Sequence, residues 1–322
     1  MMASFEPGRC KNFIDSIEDE ALKKLVLGEY NYFIGNPLKA TEYAKPFLTS
    51  DNLMIRLYSW VIYTFGNVSL GKPGLTAVGV DEIQKTILAE GIDSSKENHL
   101  IWIFAVASAK ILFKFPVNDS IHIKDYLKGL PEPVQMFGCY LMAHEAYMNE
   151  EYEKSLGIIH TSMALSSNVY PILFMYFNII AAIDEISLKN IQKAQEYFIE
   201  AWKFAKADGF VEPIGEYHGL LKGLVETCVR HKYPDDYKKI TEIAFHFGHG
   251  WMKARNLNNT EAADLLTSIE FTVANLANED WSNQEIADYL GISVRTVKYY
   301  MTSIFNKFNI SSRKQIREHL PQ

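Results

Sequence analysis

Cysteine is scarce in this chain of 322 residues. Cys10, Cys139 and Cys228 lie far apart and are odd in number. No CxxC pair or Cys/His ligand spacing occurs, so neither a disulfide framework nor a structural zinc site is expected, and a reducing cytoplasm fits best. Long apolar runs are also missing. Leu100–Phe113 is broken by Lys110, and Pro171–Ile183 ends early; both fall short of the ~20 residues a spanning helix needs. The opening MMASFEPGRCKNF holds no stretch of signal-peptide length. Positive charge is not in surplus either. The formal net charge is −7, so a general polyanion coat is excluded and a nucleic-acid partner would need a local basic patch. The chain is expected to be a soluble, cytoplasmic protein with no membrane partner.

Period-two alternation and a βαβ rhythm are absent as well, which argues against doubly wound nucleotide-binding folds and receiver domains. Segments with helical periodicity dominate, and the glycines and prolines fall mostly between them. The fold class is therefore all-α. The length suits two domains, or one large domain with an appendage.

One spacing recurs. A small residue is followed seven positions on by a turn and five further by a second small residue. Packing residues come four and seven beyond that. Gly28, Gly35, Ala40, Ala44 and Phe47 form one copy. Ala143, Glu150, Ser155, Ile159 and Ser162 form a weaker second, and Ala182, Lys189, Ala194, Phe198 and Ala201 a third. A degenerate fourth runs through Tyr237, Ile240, Ala244 and Phe247. Small residues let two antiparallel helices approach, and larger ones fill the groove of the next pair. The pattern resembles the tetratricopeptide repeat, which implies a superhelix with a concave binding face. An irregular helical bundle with chance spacing is the other reading. The implied division is a helical-repeat sensor or interaction domain over 1–255, a polar linker over 256–263 around NLNNT, and a different unit over 264–322.

That last unit carries the most specific motif. In NQEIADYLGISVRTVKYYMT, apolar residues fall at Ile286, Leu290, Ile292 and Val297, with Tyr300 continuing the face. Ala287 permits a close helix crossing. Gly291 suits a left-handed turn. Ser282 with Glu285 predicts a capping box, and Ser293 a second cap. Two short helices joined by a glycine turn make a helix-turn-helix, whose second helix faces the DNA major groove. From Asp264 onward there are six Lys/Arg and seven Asp/Glu, yet all six basic residues lie from Arg295 onward, against Glu318 alone. The basic edge thus belongs to the second helix and the residues C-terminal to it, where phosphates would lie.

On these residues Leu266–Ile316 is similar to the LuxR/GerE-type DNA-binding domain. The likeness runs through Leu266-Thr267, Glu270, Val273, Leu276, Ser282-Asn283, Glu285-Ile286-Ala287, Leu290, Ile292-Ser293, Thr296-Val297-Lys298, Ile304, Lys307-Phe308, Ile310 and Arg313. Departures are Ile269 and Phe271, where arginines are usual, Asp280 for a glycine, and Tyr300 for a histidine. The resemblance implies four helices and no wing, over about Ser268–Asn278, Asn283–Leu290, Val294–Lys307 and Ser312–Leu320. It further implies base reading by Lys298, Tyr299 and Thr302, and phosphate contacts by Arg295, Thr296, Lys307 and Arg313. Dimerisation would run through Ile316 and Leu320 of the last helix.

Other signals weigh less. GNVSLGKP at 66–73 approaches a phosphate-binding loop, but Pro73 stands where Ser/Thr would bind magnesium and no strand clearly precedes it. His246 and His249 sit three apart without an evident third metal ligand. Met136, Tyr140, Tyr147, Met148, Phe174, Met175 and Tyr176 suit a core or a ligand pocket. No catalytic constellation, metal or cofactor is expected, so the chain reads as a non-enzyme. It resembles the sensor plus DNA-binding half of maltose-activator-type regulators, without their ATPase. The function implied is a cytoplasmic transcription regulator, a dimer on double-stranded DNA, with RNA polymerase a further partner. A small molecule or protein would be sensed by the repeats. The alternative is an interaction scaffold whose DNA-binding domain is sequestered or vestigial.

Overall fold

Helix formation in this chain begins with local caps. The Asp19 carboxylate accepts from Leu22 N–H and opens α2 (Glu20–Phe33), while Asn36, ahead of Pro37, opens α3 (Pro37–Ala44). The structure, a computed structural model, describes residues 3–90, 96–112, 122–254 and 266–320. Among these every regular element is helical. The remaining helices are α1 (Cys10–Asp15), α4 (Leu53–Ser69), α5 (Pro73–Glu90), α6 (Lys96–Leu112), α7 (Glu132–Met148), α8 (Tyr152–Leu165), α9 (Pro171–Ser187) and α10 (Ile191–Asp208). There follow α11 (Glu212–Glu216), α12 (Leu224–Cys228), α13 (Pro234–Ala254), α14 (Ser268–Asn278), α15 (Asn283–Leu290) and α16 (Val294–Phe308). No described helix is long and apolar enough to cross a membrane.

The chain divides into two compact units, one of residues 1–67 and 74–210, the other of 68–73 and 211–322. In the first, three helix hairpins carry the recurring spacing: α2 with α3, α7 with α8, and α9 with α10. Each closes in the same way. Gly35, Glu150 and Lys189 take φ of 75°, 60° and 63°. Their N–H groups bond back three residues, and the next N–H bonds back five, as in Asn36 to Asn31, Glu151 to Ala146 and Asn190 to Glu185. This is the Schellman arrangement, which satisfies carbonyls a helix end otherwise orphans. The small residues lie inside: Ala40, Ala143, Ser155, Ala182, Ala194 and Ala201 are all fully buried. A Cβ on Gly28 would stand 3.1 Å from Tyr43 Cβ, so glycine here permits the close pair.

The core of this unit is α9. Its sequence PILFMYFNIIAAI is apolar on every side, which marks a helix surrounded by protein, and it is buried from Pro171 to Ile186. It packs on α7, α8 and α10. Tyr140 of α7 sits 5.4 Å from Tyr176 and 6.4 Å from Phe177, ring centre to ring centre. Met136, Tyr140, Phe174, Met175 and Tyr176 are thus core residues, whereas Tyr147 is half-buried and Met148 exposed. Truncating Phe177 to alanine would cost about 3–5 kcal/mol.

In the second unit α13 packs on α11, because Gly215 lets Ile243 come close: a Cβ there would lie 2.4 Å from Ile243 Cγ2. Tyr237, Ile240, Ala244 and Phe247 all lie on α13. The 66–73 segment is the end of α4, a two-residue turn at Leu70–Gly71 and the start of α5, so a helix rather than a strand precedes it. His246 is exposed, and the side chain of His249 lies outside the described residues. The polar 256–263 stretch also lies outside them.

Candidate nucleic-acid interface

Three caps and three left-handed turns fix the C-terminal helices. Thr267 and Glu270 form a reciprocal capping box at the start of α14, and Ser282 and Glu285 form another at α15. Ser293 caps α16, accepting from Thr296 N–H at 3.0 Å. Asp280 ends the first helix at φ 60°, Gly291 the second at 65° and Asn309 the third at 53°. The capping serines, the glycine turn and the helix bounds of α14 and α15 agree with the sequence expectation, and α16 runs one residue further. The last element differs: it is a 3-10 turn over Arg313–Glu318, not an α-helix over Ser312–Leu320.

α16 is two-faced. Val297, Met301, Ile304 and Phe308 recur at helical spacing and are buried. Arg295, Lys298, Tyr299 and Thr302 lie on the other side and are exposed, Tyr299 by 70%. The Thr302 hydroxyl donates to Lys298 O at 3.0 Å, so it presents a methyl group and an acceptor outward. The Tyr299 ring stands edge-on to Tyr300 at 5.8 Å. Thr296 is half-buried at the cap. A cation, a phenol and a methyl on one rigid face can donate to guanine, stack or accept, and cover a thymine methyl.

The other cations are placed differently. The Lys307 ammonium lies 2.6 Å from the Glu270 carboxylate. Burial alone would raise the Glu270 carboxyl. Hydrogen bonds from Lys307, Ser303 and Thr267 outweigh it and hold the group at about 2. The Arg313 guanidinium donates to Ala277 O at 3.0 Å and also to Trp281 O, tying the end of α14 to the Asp280 turn. Burial lowers its pKa. Ile316 and Leu320 are buried within the unit rather than presented outward, and His319 stacks on Phe308 at 5.0 Å. Sequence reasoning missed the Glu270 hub. Thr267-x-x-Glu270 was a readable cap, but the bonds to Ser303 and Lys307 join residues more than thirty positions apart.

Among the described residues, no group of three His, Cys, Asp or Glu side chains is placed to hold a metal.

Two short helices, a glycine turn and an outward basic face define a helix-turn-helix domain. Residues 264–319 match the family described as "Bacterial regulatory proteins, luxR family", and this segment is a LuxR-family helix-turn-helix domain. The "Transcriptional regulatory protein ComA" of Bacillus subtilis (strain 168) is 44% identical over 52 residues, which are 16% of this chain and 24% of that protein. The similarity thus spans about a quarter of that relative.

Proposed function

We propose that the chain is a sequence-specific DNA-binding transcription regulator acting by binding rather than catalysis. The observation that carries this is the open face of α16, where Arg295, Lys298, Tyr299 and Thr302 project from a helix capped at both ends. Lys298, Tyr299 and Thr302 read bases, and Arg295 with Thr296, in the first turn after the Ser293 cap, meets the backbone. Lys307 and Arg313 can reach phosphate only by leaving their partners, Glu270 and the carbonyls of Ala277 and Trp281. One such helix reads a half-site, so a homodimer is proposed, with the operator a repeated sequence. The helical hairpins of residues 20–208 are the proposed sensor for a small molecule or protein, and RNA polymerase a further partner.

Selection of genomic fragments at fixed salt tests the reading. The full chain is expected to enrich a defined repeat. Lys298→Ala is expected to cost roughly 1–3 kcal/mol on that site and to relax preference at one base. An equal loss on all duplexes would make Lys298 a backbone contact, and no preference among fragments would overturn the proposal. The scaffold reading, with a hidden domain, is disfavoured by the exposure of the same face.

A further inference from the structure

Phe271 stands where the resembled family usually has arginine, and the structure gives the change a use. The ring edge lies over Gly219: a Cβ on Gly219 would sit 2.8 Å from Phe271 Cε1. Four residues on, a Cβ on Gly223 would sit 2.7 Å from Leu290 Cδ2, 3.0 Å from Tyr289 Cε1 and 3.2 Å from Thr272 Cγ2. Gly223 has φ +98°, which disfavours any side chain there. Between the glycines, the Lys222 ammonium pairs with Glu279 at the end of α14. Within the same stretch, His218 and Glu226, each 3% exposed, pair at 2.8 Å. Tyr289 is half-buried with its hydroxyl out of solvent, and burial first, then Cys228 and Glu226, holds that hydroxyl well above the usual range.

We propose that residues 217–226 form a saddle that clamps the DNA-binding domain by its α14–α15 side. The clamp rests on the regulator reading, since the domain it holds is the one proposed to read DNA. Two glycines remove the side chains that would hold the surfaces apart, and Phe271, Thr272, Tyr289 and Leu290 fill the space. The charge pair fixes the register. The recognition face, Arg295, Lys298, Tyr299 and Thr302, takes no part and stays open. The clamp therefore aims the domain instead of masking it, and the domain meets DNA in one orientation relative to residues 217–226.

Zero-length coupling tests this in the full chain. A carbodiimide should join Lys222 to Glu279, detected as one cross-linked peptide by mass spectrometry and absent in Glu279→Gln. Gly219→Leu overfills the saddle, and Phe271→Arg charges it while restoring the residue usual in the resembled family. Each should lower the yield by roughly tenfold. Both variants should hold a half-site duplex within about twofold of the parent, since base and phosphate contacts are untouched; this also shows the domain is folded. No Lys222–Glu279 product in the parent, or undiminished product in both variants, overturns the clamp. A chain that cross-links but prefers no duplex sinks the regulator reading alone. A chain that reads duplexes without cross-linking sinks the clamp alone.

Discussion

Asp184 sits fully buried near the end of α9. Burial pushes its pKa from 3.8 up to about 7; the adjacent Ser155 hydroxyl works against this, while Glu185 and Glu153 add to it. The folded value lies above the unfolded one, so folding favours the protonated acid. The associated stability is present below about pH 4 and is lost as pH rises through about 7. Asp184→Asn removes the charge but keeps the shape. It is expected to leave thermal stability near pH 4 almost unchanged and to raise it at pH 8, by roughly 1–3 kcal/mol. Melts of both proteins at the two pH values check this, and a variant no more stable at pH 8 would refute it. Glu212 follows the same logic. It is buried, takes a 2.5 Å bond from the Ser69 hydroxyl, and burial raises it to about 7.

At the scale of elements, α14 is held to α16 by one carboxylate. Glu270 has a folded pKa of about 2, below its ordinary 4.5, so its contribution is present above about pH 4.5 and is lost as pH falls through 2. Glu270→Gln is expected to destabilise the domain at pH 7 by ~2–3 kcal/mol, with the difference shrinking toward pH 2. Denaturant titration along a pH series reads this directly. Local chemistry explains why so much here was legible. Ser282, Glu285, Gly291 and Ser293 each act on a backbone group within five residues, so their spelling states their role. Lys307 and Arg313 show the limit. A basic residue reads the same whether it faces phosphate or Glu270, and only the tertiary fold brings the partner from thirty or more positions away. Ile316 and Leu320 are the apolar counterpart: helical spacing marks one face, but not whether this chain or another covers it. The hairpin turns divide likewise. Gly35 announces left-handed backbone, while Glu150 and Lys189 adopt it because two helices demand the reversal there.

For the whole molecule, charge separates two pictures of DNA binding. The chain carries net charge −7, so affinity must come from a few local cations. Arg295, Lys298, Lys314 and Arg317 are exposed, while Lys307 and Arg313 are engaged internally. Three or four phosphate contacts per domain give a slope of log K against log salt of about −3 to −4, and adding the two engaged cations would steepen it to about −5. Fluorescence anisotropy of a labelled half-site duplex across a salt series distinguishes them. The general architecture was readable from periodicity, since helices announce themselves in the spacing of apolar residues. The grouping of 68–73 with 211–322 was not, because it depends on contacts across some 140 residues. That grouping bears on how the molecule is made. Ser69 leaves the ribosome long before Glu212, its buried partner. At about 5–20 residues per second the early segment waits roughly 7–30 s for its mate. A fragment beginning at 211 would never receive it, and Glu212 would lack the hydroxyl it bonds in the folded chain.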